Sequence, residues 1–386
     1  MKTFSEILKV IDSGADLSFE DIKFLLSLSN KTEMQDLFEK AYRIKCDNVG
    51  KKVYFRGIIE LSNICEKDCY YCGIRKSNLS QRRYIMTEDE ILSAADWAFK
   101  NDYGSIVLQS GENTSQSFIA FIEKIIVGIK KLSDNKLGIT LSLGEQPDSV
   151  YRKWFEAGAH RYLLRIETSN EELYGKLHPE KHSFQKRLNC LRHIRDAGYQ
   201  LGTGVMIGLP FQTIDDLANE ILFFKEIDAD MIGMGPYIVH KDTPLAESLP
   251  GFEKIKEYQL NLSLKMIAVA RIFLKDVNIA STTALQSLNP TGREMGLLAG
   301  ANIIMPNITE TKYRAAYQLY DNKPCLDENS SMCRNCLEKR ISSIGETIAY
   351  GEWGDSKHFK GESKLIKTAE GWTPNFVFLN NIEFNE

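Results

Sequence analysis

Short apolar segments rich in β-branched residues alternate with helical patterns along most of this chain, and this alternation constrains the fold more than any other feature. Residues 1–50 are predicted to be helical, with a capped helix start at Ser18. Apolar runs of this length are typical of strands that are buried in a parallel sheet. Strands are predicted at 53–61, 105–109, 138–143, 161–166, 202–207, 231–234, 278–281 and 302–305.

The helical patterns fall between these strands. Thr87 and Glu90 are predicted to form a capping box at the start of one helix, and Gly158, Gly198 and Gly300 stand where helices are expected to end. Helices are predicted at 87–100, 117–132, 148–157, 184–197, 214–227, 254–273, 292–298 and 312–319.

Eight strand–helix units in strict alternation predict an α/β fold, specifically a (β/α)8 TIM barrel. We expect an N-terminal helical extension over residues 1–50, the barrel over 51–320, and a C-terminal segment with cysteines over 321–386. An open, doubly wound sheet is the alternative that the pattern leaves. From about Glu346 the periodicity is lost and the charges are mixed, which predicts a partly ordered tail.

Net charge, apolar runs and cysteine number limit the classes of function that this chain can have. The formal net charge of −4 gives no basic footprint for nucleic acid. The first residues carry no apolar core of a secretory signal, and no apolar run is long enough to span a membrane, so a cytoplasmic protein is expected. Six of the eight cysteines form two short clusters, which favours metal ligation over disulfides. Cys46 and Cys190 are expected to be buried apolar residues.

The first cysteine cluster follows the first predicted strand. Cys65, Cys69 and Cys72 have the spacing C-x3-C-x2-C. Three thiolates can hold a four-iron cluster and leave one iron free to bind a small molecule. The alternative is a zinc knuckle, but structural zinc prefers four protein ligands, and the next cysteine along the chain is Cys190.

Polar residues stand at the predicted strand ends, where a barrel places its active site. An open iron beside such residues fits S-adenosylmethionine (SAM), whose amino and carboxylate groups can chelate the iron. One electron from the cluster can then break the S–C5′ bond and release a 5′-deoxyadenosyl radical. The strand-end residues are Ser110, Gly111, Glu112, Ser142, Arg165, Glu167, Thr282 and Thr283.

The cysteine spacing, with Tyr71 directly before the last cysteine, resembles the motif of the radical SAM superfamily. Within it, several further stretches resemble the HydE family, the radical enzymes among the maturases that build the active-site H-cluster of [FeFe]-hydrogenase. The resemblance runs from about residue 50 to residue 337. Its stretches are 56–63, 107–112, 140–145, 161–165, 204–210, 280–283 and 302–307.

The resemblance implies roles for individual residues. Cys65, Cys69 and Cys72 would ligate a [4Fe-4S] cluster. The positions implied to bind SAM are Ser142, Glu167, Arg187, Ser110, Gly111, Glu112, Tyr71, Gly204, Gly208 and Tyr320. The positions implied to hold a carboxylate-bearing substrate are Arg165, Thr282 and Thr283. Some family members carry histidine between the arginine and the glutamate of the fourth strand, where this chain has Ile166.

Each of these roles has a purely structural alternative. Arg165 and Glu167 could form an ion pair inside the barrel, and Arg187 could form a salt bridge on a helix surface. Ser142 could be a core hydroxyl, the glycines could serve turns, Thr282 and Thr283 could be ordinary strand residues, and Tyr320 could be a core residue of a helix. His240 is expected to be a loop residue without a role.

The second cysteine cluster has the spacing C-x7-C-x2-C, at Cys325, Cys333 and Cys336. The resemblance implies an accessory iron–sulfur cluster there, either [2Fe-2S] or [4Fe-4S]. A structural zinc ion or an adventitious metal is the alternative.

The expected function is therefore reductive cleavage of SAM to a 5′-deoxyadenosyl radical during H-cluster assembly, on a small anionic, iron–cysteine-derived substrate. Expected partners are that small molecule, other hydrogenase maturases and an electron donor in transient contact, with no nucleic acid and no membrane. Two alternatives stay open: a radical enzyme resembling methylornithine synthase, and a non-enzymatic iron–sulfur carrier.

Overall fold

The computed structural model describes residues 2–247 and 255–359. The strands within these residues are β1 Lys52–Ser62, β2 Ser105–Ser110, β3 Gly138–Ser142, β4 Arg161–Leu163, β5 Gln200–Thr203, β6 Met206–Ile207, β7 Met231–Ile232, β8 Gly235–Pro236, β9 Asn278–Ile279, β10 Ile303–Ile304 and β11 Thr347–Ile348.

Helices cover the outside of these strands. They are α1 Phe4–Asp12, α2 Phe19–Ser27, α3 Lys31–Asn48, α4 Glu88–Lys100, α5 Gln116–Leu132, α6 Asp148–Glu156, α7 Glu171–Leu177, α8 Phe184–Asp196, α9 Ile214–Glu226, α10 Pro244–Glu247, α11 Lys256–Leu274, α12 Thr283–Leu288, α13 Gly292–Leu298, α14 Thr311–Arg314 and α15 Ser330–Ser343. Among the described residues, no helix is long and apolar enough to cross a membrane.

The main sheet is a closed ring of parallel strands in the order β10-β1-β2-β3-β4-β5-β7-β9. Two backbone hydrogen bonds close the ring between β9 and β10, from Asn302 N to Ile279 O and from Ser281 N to Ile303 O, both 2.9 Å. The predicted (β/α)8 barrel is confirmed, and the open doubly wound alternative is wrong. The predicted strand 202–207 is divided between β5 and β6, and the predicted strand 231–234 is shorter than expected, because β7 ends at Ile232. β6 pairs with β8 beyond the ring.

Local sequence sets many of the helix ends. Thr87 and Glu90 form the predicted capping box of α4, and Ser18 caps α2 in the same way with Asp21. The predicted helix stops at Gly158, Gly198 and Gly300 all have positive φ. These positions were predictable because caps depend on side chains only a few residues away.

The N-terminal helices pack on the outside of the barrel, α2 against α9 and α3 against α11. Their apolar residues join one continuous core with those of the strands and the barrel helices. Inside the barrel, a small cavity is lined by both apolar and polar side chains, including Arg56, Thr140, Met231 and Asn278.

Residues 347–359, which we call the floor strap, cover the amino-terminal end of the barrel. β11 pairs in parallel with β1, Gly354 O accepts hydrogen bonds from Arg56 Nη2 and Asn278 Nδ2, and Asp355 pairs with Arg161 at 2.7 Å. The prediction of a tail from Glu346 is therefore wrong for the floor strap. Main-chain hydrogen bonds and an ion pair join it to distant strands, and its apolar contacts, such as those of Ile348 and Tyr350, do not recur with the periodicity that predicts an element. Residues 360–386 lie outside the described part of the chain.

The predicted helix at 312–319 is also shorter than expected, because α14 ends at Arg314. Beyond it, main-chain carbonyls turn towards the first cysteine cluster: Ala316 O accepts from Asn63 Nδ2 at 2.7 Å, and Leu319 O accepts from Gly73 N at 2.9 Å. Tyr320 therefore lies in a loop and not on a helix. In contrast, α15 carries two cysteines of the second cluster on a helix that the sequence did not predict.

Candidate active site at the carboxyl end of the barrel

The first three cysteines lie on the loop that follows β1, which we call the cysteine loop (residues 63–78). Cys69 is buried, Cys65 and Cys72 are half-buried, and all three are free thiols. Burial raises the pKa of each, and that of Cys69 to about 12, so the metal-free thiols are protonated at neutral pH. Thiolate ligation must therefore be driven by the metal.

The end of β2 lies directly against this loop. Glu112 N points at Cys65 Sγ from 3.4 Å, and Glu66 N donates to Glu112 O at 2.8 Å. A Cβ atom on Gly111 would lie 2.4 Å from Ile64 O and 2.7 Å from Cys65 Cβ, so only glycine allows this approach. Ser110 directs its hydroxyl to Gly111 O at 2.6 Å. The predicted neighbourhood of Ser110, Gly111 and Glu112 with the cysteines is present.

Four charged side chains form an ion network under the loop: Lys67, Glu112, Glu145 and Arg187. Lys67 Nζ lies 2.8 Å from Glu145 Oε2 and 3.3 Å from Glu112 Oε1, and Arg187 Nε lies 2.6 Å from Glu145 Oε1. Arg187 is thus a buried residue and not a helix-surface salt bridge. Lys67 and Glu145 were not predicted as site residues, although Lys67 stands between two of the cysteines and Glu145 follows β3.

The two carboxylates of this network differ in pKa. Burial would raise the pKa of Glu145, but the charges of Arg187 and Lys67 outweigh it and lower the pKa to about 2. Burial and the negative charge of Glu145 raise the pKa of Glu112. Glu145 therefore stays ionised and holds both cations in place, while Glu112 carries the less stable charge.

Glu167 is buried and has a positive φ of 69°, a conformation that costs energy in a residue with a side chain. Arg165 Nη2 lies 3.0 Å from Glu167 Oε2, so the ion pair exists. The geometry of this pair does not make a hydrogen bond, and Glu167 Oε2 and Arg165 Nε are both buried without a hydrogen-bond partner. Burial raises the pKa of Glu167. The pair therefore leaves one acceptor and one donor free for a ligand.

The remaining predicted SAM positions fall into two groups. Ser142 ends β3 and is half-buried, and Tyr71 reaches His178 Nε2 at 3.2 Å. The two glycines have structural reasons of their own. A Cβ atom on Gly204 would lie 2.1 Å from Gly233 O, and Gly208 occupies a turn with a φ of 76°. Turn and strand packing alone account for these two residues.

Thr282 stands at the N-cap position of α12 without a side-chain capping bond, and Thr283 is the first residue of that helix, so the alternative that both are strand residues is wrong. Thr282 Oγ1 is buried without a hydrogen-bond partner. Tyr320 is half-buried, and burial raises its pKa. Ile166 is a fully buried core residue.

Two buried histidines near the cysteine loop were not predicted as part of the site. Burial lowers the pKa of His178 to about 3, so the ring is neutral. Its Nδ1 donates to Tyr174 O at 2.8 Å, and its Nε2 accepts from the Tyr71 hydroxyl at 3.2 Å. His240 belongs to a loop as predicted, but it is buried against the cysteine loop: a Cβ atom on Gly73 would lie 2.2 Å from its Cδ2. Both support the loop by packing.

The second group of cysteines lies beside α14 and α15. Cys333 is buried, Cys325 is half-buried and Cys336 is exposed. A hydrogen bond from the Cys333 thiol lowers the pKa of Cys325 to about 7, and Arg293 Nη2 lies 4.0 Å from Cys325 Sγ. Across the described residues, no three Cys, His, Asp or Glu side chains converge as ligands of a single metal ion.

Buried Arg314 ties this second site to the barrel. Its guanidinium donates to Thr309 O at 2.8 Å and Asn307 O at 3.0 Å behind β10, and to Cys325 O at 3.0 Å and to Glu328 O. The carbonyls around Cys325 are therefore held by one side chain.

Comparisons with known proteins agree with this geometry. Residues 59–224 match the family model of the radical SAM superfamily. The barrel, with three cysteines after its first strand, is that of a radical SAM enzyme. The chain is 44% identical to the [FeFe] hydrogenase maturase subunit HydE of Thermotoga maritima, over 92% of this chain and 98% of that one. The chain belongs to the HydE family.

Other relatives are more distant. The 3-methylornithine synthase of Methanosarcina acetivorans is 26% identical over 87% of this chain and 91% of that one. A crystal structure of methylornithine synthase superposes with a TM-score of 0.75 at 23% identity, covering 89% of this chain and 98% of that one. At this identity the superposition supports the fold alone.

Membership of the radical SAM superfamily implies a [4Fe-4S] cluster and SAM, and the residues at the carboxyl end of the barrel fit both. Three thiols share one loop, and two buried atoms without hydrogen-bond partners, the acceptor Glu167 Oε2 and the donor Arg165 Nε, lie on the segment that follows β4. Such orphaned buried atoms are costly unless a ligand satisfies them.

Proposed function

We propose that Cys65, Cys69 and Cys72 ligate the [4Fe-4S] cluster and that this enzyme cleaves SAM reductively at the carboxyl end of the barrel. When bound, the cluster and SAM together supply a one-electron cleavage that yields the 5′-deoxyadenosyl radical. One observation carries the proposal: Glu112 N lies 3.4 Å from Cys65 Sγ, which joins the thiols and the strand-end polar residues into one site.

In this proposal the strand-end residues orient SAM. Glu167 accepts from the ribose hydroxyls, because its buried Oε2 is ion-paired with Arg165 but accepts no hydrogen bond. Arg187 pairs with the methionyl carboxylate, and Ser110, Gly111 and Glu112 meet the amino group next to Cys65. We also assign Ser142, Tyr71, Tyr320, Gly204 and Gly208 to the SAM site, as the resemblance to the HydE family implies.

We assign the substrate to Arg165, Thr282 and Thr283. Arg165 Nε and Thr282 Oγ1 are buried donors without partners, which suits a carboxylate or another small anion. The relative that is 44% identical is a subunit of the [FeFe] hydrogenase maturation system, which supports a role in H-cluster assembly. The proposed substrate is a small anionic, iron–cysteine-derived molecule, and the proposed partners are other maturases and an electron donor.

We further propose that Cys325, Cys333 and Cys336 hold an accessory iron–sulfur cluster, either [2Fe-2S] or [4Fe-4S]. Arg293 beside Cys325 would offset the negative charge of such a centre. The lowered pKa of Cys325, about 7, supports thiolate ligation at neutral pH.

The test is SAM cleavage by anaerobically reconstituted protein with a chemical reductant. We expect 5′-deoxyadenosine from the wild type, a further increase with an iron–cysteine complex, and none from Cys65→Ser. Glu167→Gln should raise the KM for SAM, whereas the exposed control Glu172→Gln should not change it. A fully loaded iron centre whose spectrum does not respond to SAM would overturn the proposal. An unchanged yield with the iron–cysteine complex would overturn only the substrate assignment.

A further inference from the structure

Arg83 lies eleven residues beyond Cys72, and its guanidinium is surrounded by main-chain carbonyl groups of the cysteine loop. Nη1 donates to Asn63 O at 2.7 Å and to Ile74 O at 2.8 Å. Nη2 donates to Arg75 O at 2.5 Å and to Asn78 O at 3.1 Å. One side chain therefore joins Asn63, two residues before the cysteine motif, to the turns after it.

The turns after Cys72 explain why these carbonyls converge. Arg75 N donates to Cys72 O and Asn78 N donates to Arg75 O, both at 3.1 Å, so the chain reverses direction repeatedly. Asn78 is buried and secures the same turns from its side chain, which donates to Gly73 O at 2.7 Å. Carbonyl dipoles that face one another repel unless a donor lies between them, and the guanidinium supplies several donors in one plane.

The charge of Arg83 is not cancelled by a carboxylate. Within residues 2–247 and 255–359, Arg83 has no ion-pair partner, and its bonds are all to neutral carbonyl oxygens. Two of the carbonyls that Arg83 binds, those of Asn63 and Ile74, lie two residues from Cys65 and Cys72. The uncancelled positive charge therefore lies beside the proposed cluster ligands, where it stabilises negative charge. Arg82, its neighbour, is exposed and makes no such side-chain bonds.

We propose that Arg83 is a positioning residue for the radical chemistry: it closes the cysteine loop through its carbonyls, and its charge raises the reduction potential of the cluster bound there. A fixed positive charge near an iron–sulfur cluster favours the reduced form, and hydrogen bonds around the ligands fix their positions. This inference rests on the proposed ligand set of Cys65, Cys69 and Cys72.

Two substitutions separate the two effects. Arg83→Lys keeps the charge but cannot bridge the carbonyls, and Arg83→Gln loses both properties. Arg82→Gln is the matched control, because it removes the same charge one residue away. The measurements use reconstituted full-length protein: the rate of iron loss to a chelator, and the reduced fraction at a fixed solution potential, read from the paramagnetic signal that SAM perturbs.

We expect Arg83→Lys to lose iron about tenfold faster with a reduced fraction within about twofold of the wild type. Arg83→Gln should lose iron at least as fast, and its ratio of reduced to oxidised cluster should fall about tenfold, or about 59 mV for one electron. Arg82→Gln should match the wild type in both. Wild-type behaviour of Arg83→Gln, or an equal change in Arg82→Gln, would overturn the proposal.

Amide hydrogen exchange of the metal-free protein tests the loop-closing role of Arg83 without any bound iron. Residues 74–78 should exchange faster in Arg83→Lys than in Arg82→Gln, and equal rates would overturn the loop-closing role. If the wild-type protein takes up no SAM-responsive cluster, the assignment of Cys65, Cys69 and Cys72 as ligands fails. The hydrogen-exchange rates of residues 74–78 still decide whether Arg83 closes the loop. If Arg83→Gln does not fold, Arg83→Lys decides: unchanged iron loss would overturn the proposal.

Discussion

The two groups of three cysteines are each held by an arginine that donates to main-chain carbonyls, but their surroundings differ. The first group lies on a loop that Arg83 closes, above the ion network of Lys67, Glu112, Glu145 and Arg187. The second group is fixed to the end of β10 by Arg314, and one of its members, Cys336, is exposed. The first site is built to hold charge and a polar ligand away from water, and the second lies at the margin of the fold.

The largest difference should appear when the cysteines are removed. Cys65→Ser, Cys69→Ser or Cys72→Ser should abolish 5′-deoxyadenosine formation, because each removes a proposed ligand of the centre that reduces SAM. The triple change of Cys325, Cys333 and Cys336 to Ser should leave formation within about twofold of the wild type. Chromatographic detection of 5′-deoxyadenosine measures both. A well-folded triple variant that makes none would show that the second site is required for radical generation.

The second largest difference should appear in the free energy of unfolding when an ion pair near each site is broken. Glu145→Gln leaves Lys67 and Arg187 buried with too little negative charge, and should lower the free energy of unfolding by about 3 kcal/mol. Glu294→Gln removes the partner of Arg340 near the second site, where the arginine is partly exposed, and should cost about 1 kcal/mol. Urea denaturation at neutral pH compares them. An equal loss of unfolding free energy in both variants would show that the ion pairs of the two regions do not differ in this way.

The anchoring of the second site can be tested through Arg314. Arg314→Lys keeps the charge but loses several of the bonds to Asn307, Thr309 and Cys325, and should lower the free energy of unfolding by about 2 kcal/mol. Arg43→Lys, on an exposed helix surface, is the control and should change it little. An effect of Arg314→Lys no greater than that of the control would mean that the second site is not anchored in this way.

The smallest effect concerns thiol reactivity in metal-free protein. A lowered pKa means that Cys325 is a thiolate above about pH 7, whereas burial keeps Cys69 protonated until about pH 12. At pH 8, iodoacetamide should therefore modify Cys325 at least about tenfold faster than Cys69, as followed by mass spectrometry. Cys333→Ala, which removes the thiol donor, should slow the labelling of Cys325 and leave that of Cys46 unchanged. Faster labelling of Cys69 would contradict the assigned environments.

The sequence predicted the features that depend on near neighbours. The eight barrel strands, the capped helix start at Ser18, the capping box at Thr87 and the cysteine loop after β1 are all confirmed. Each depends on a short apolar run, on side chains within one helical turn, or on a fixed spacing. Even Ser110, Gly111 and Glu112 could be placed, because the carboxyl ends of parallel strands meet at one end of a barrel.

Features that depend on distant partners escaped prediction. Glu145 stands 78 residues from Lys67 and 42 from Arg187, and no local pattern shows that a strand-end carboxylate will be buried between two cations. The helix predicted at 312–319 ends at Arg314 because its later carbonyls bond to the cysteine loop, more than two hundred residues away in sequence. The floor strap was mistaken for a tail for the same reason.

The floor strap also dictates an order of events during synthesis. Arg56 and Arg161 emerge from the ribosome long before Gly354 and Asp355, the groups that bind them, have been added to the nascent chain. Until then the underside of the ring carries two guanidinium groups that cannot be sealed from water. Domains generally begin to fold from the amino terminus while translation continues. Here the last step of the barrel must wait for residues made after its eighth strand, so an interrupted translation product ends with an open base.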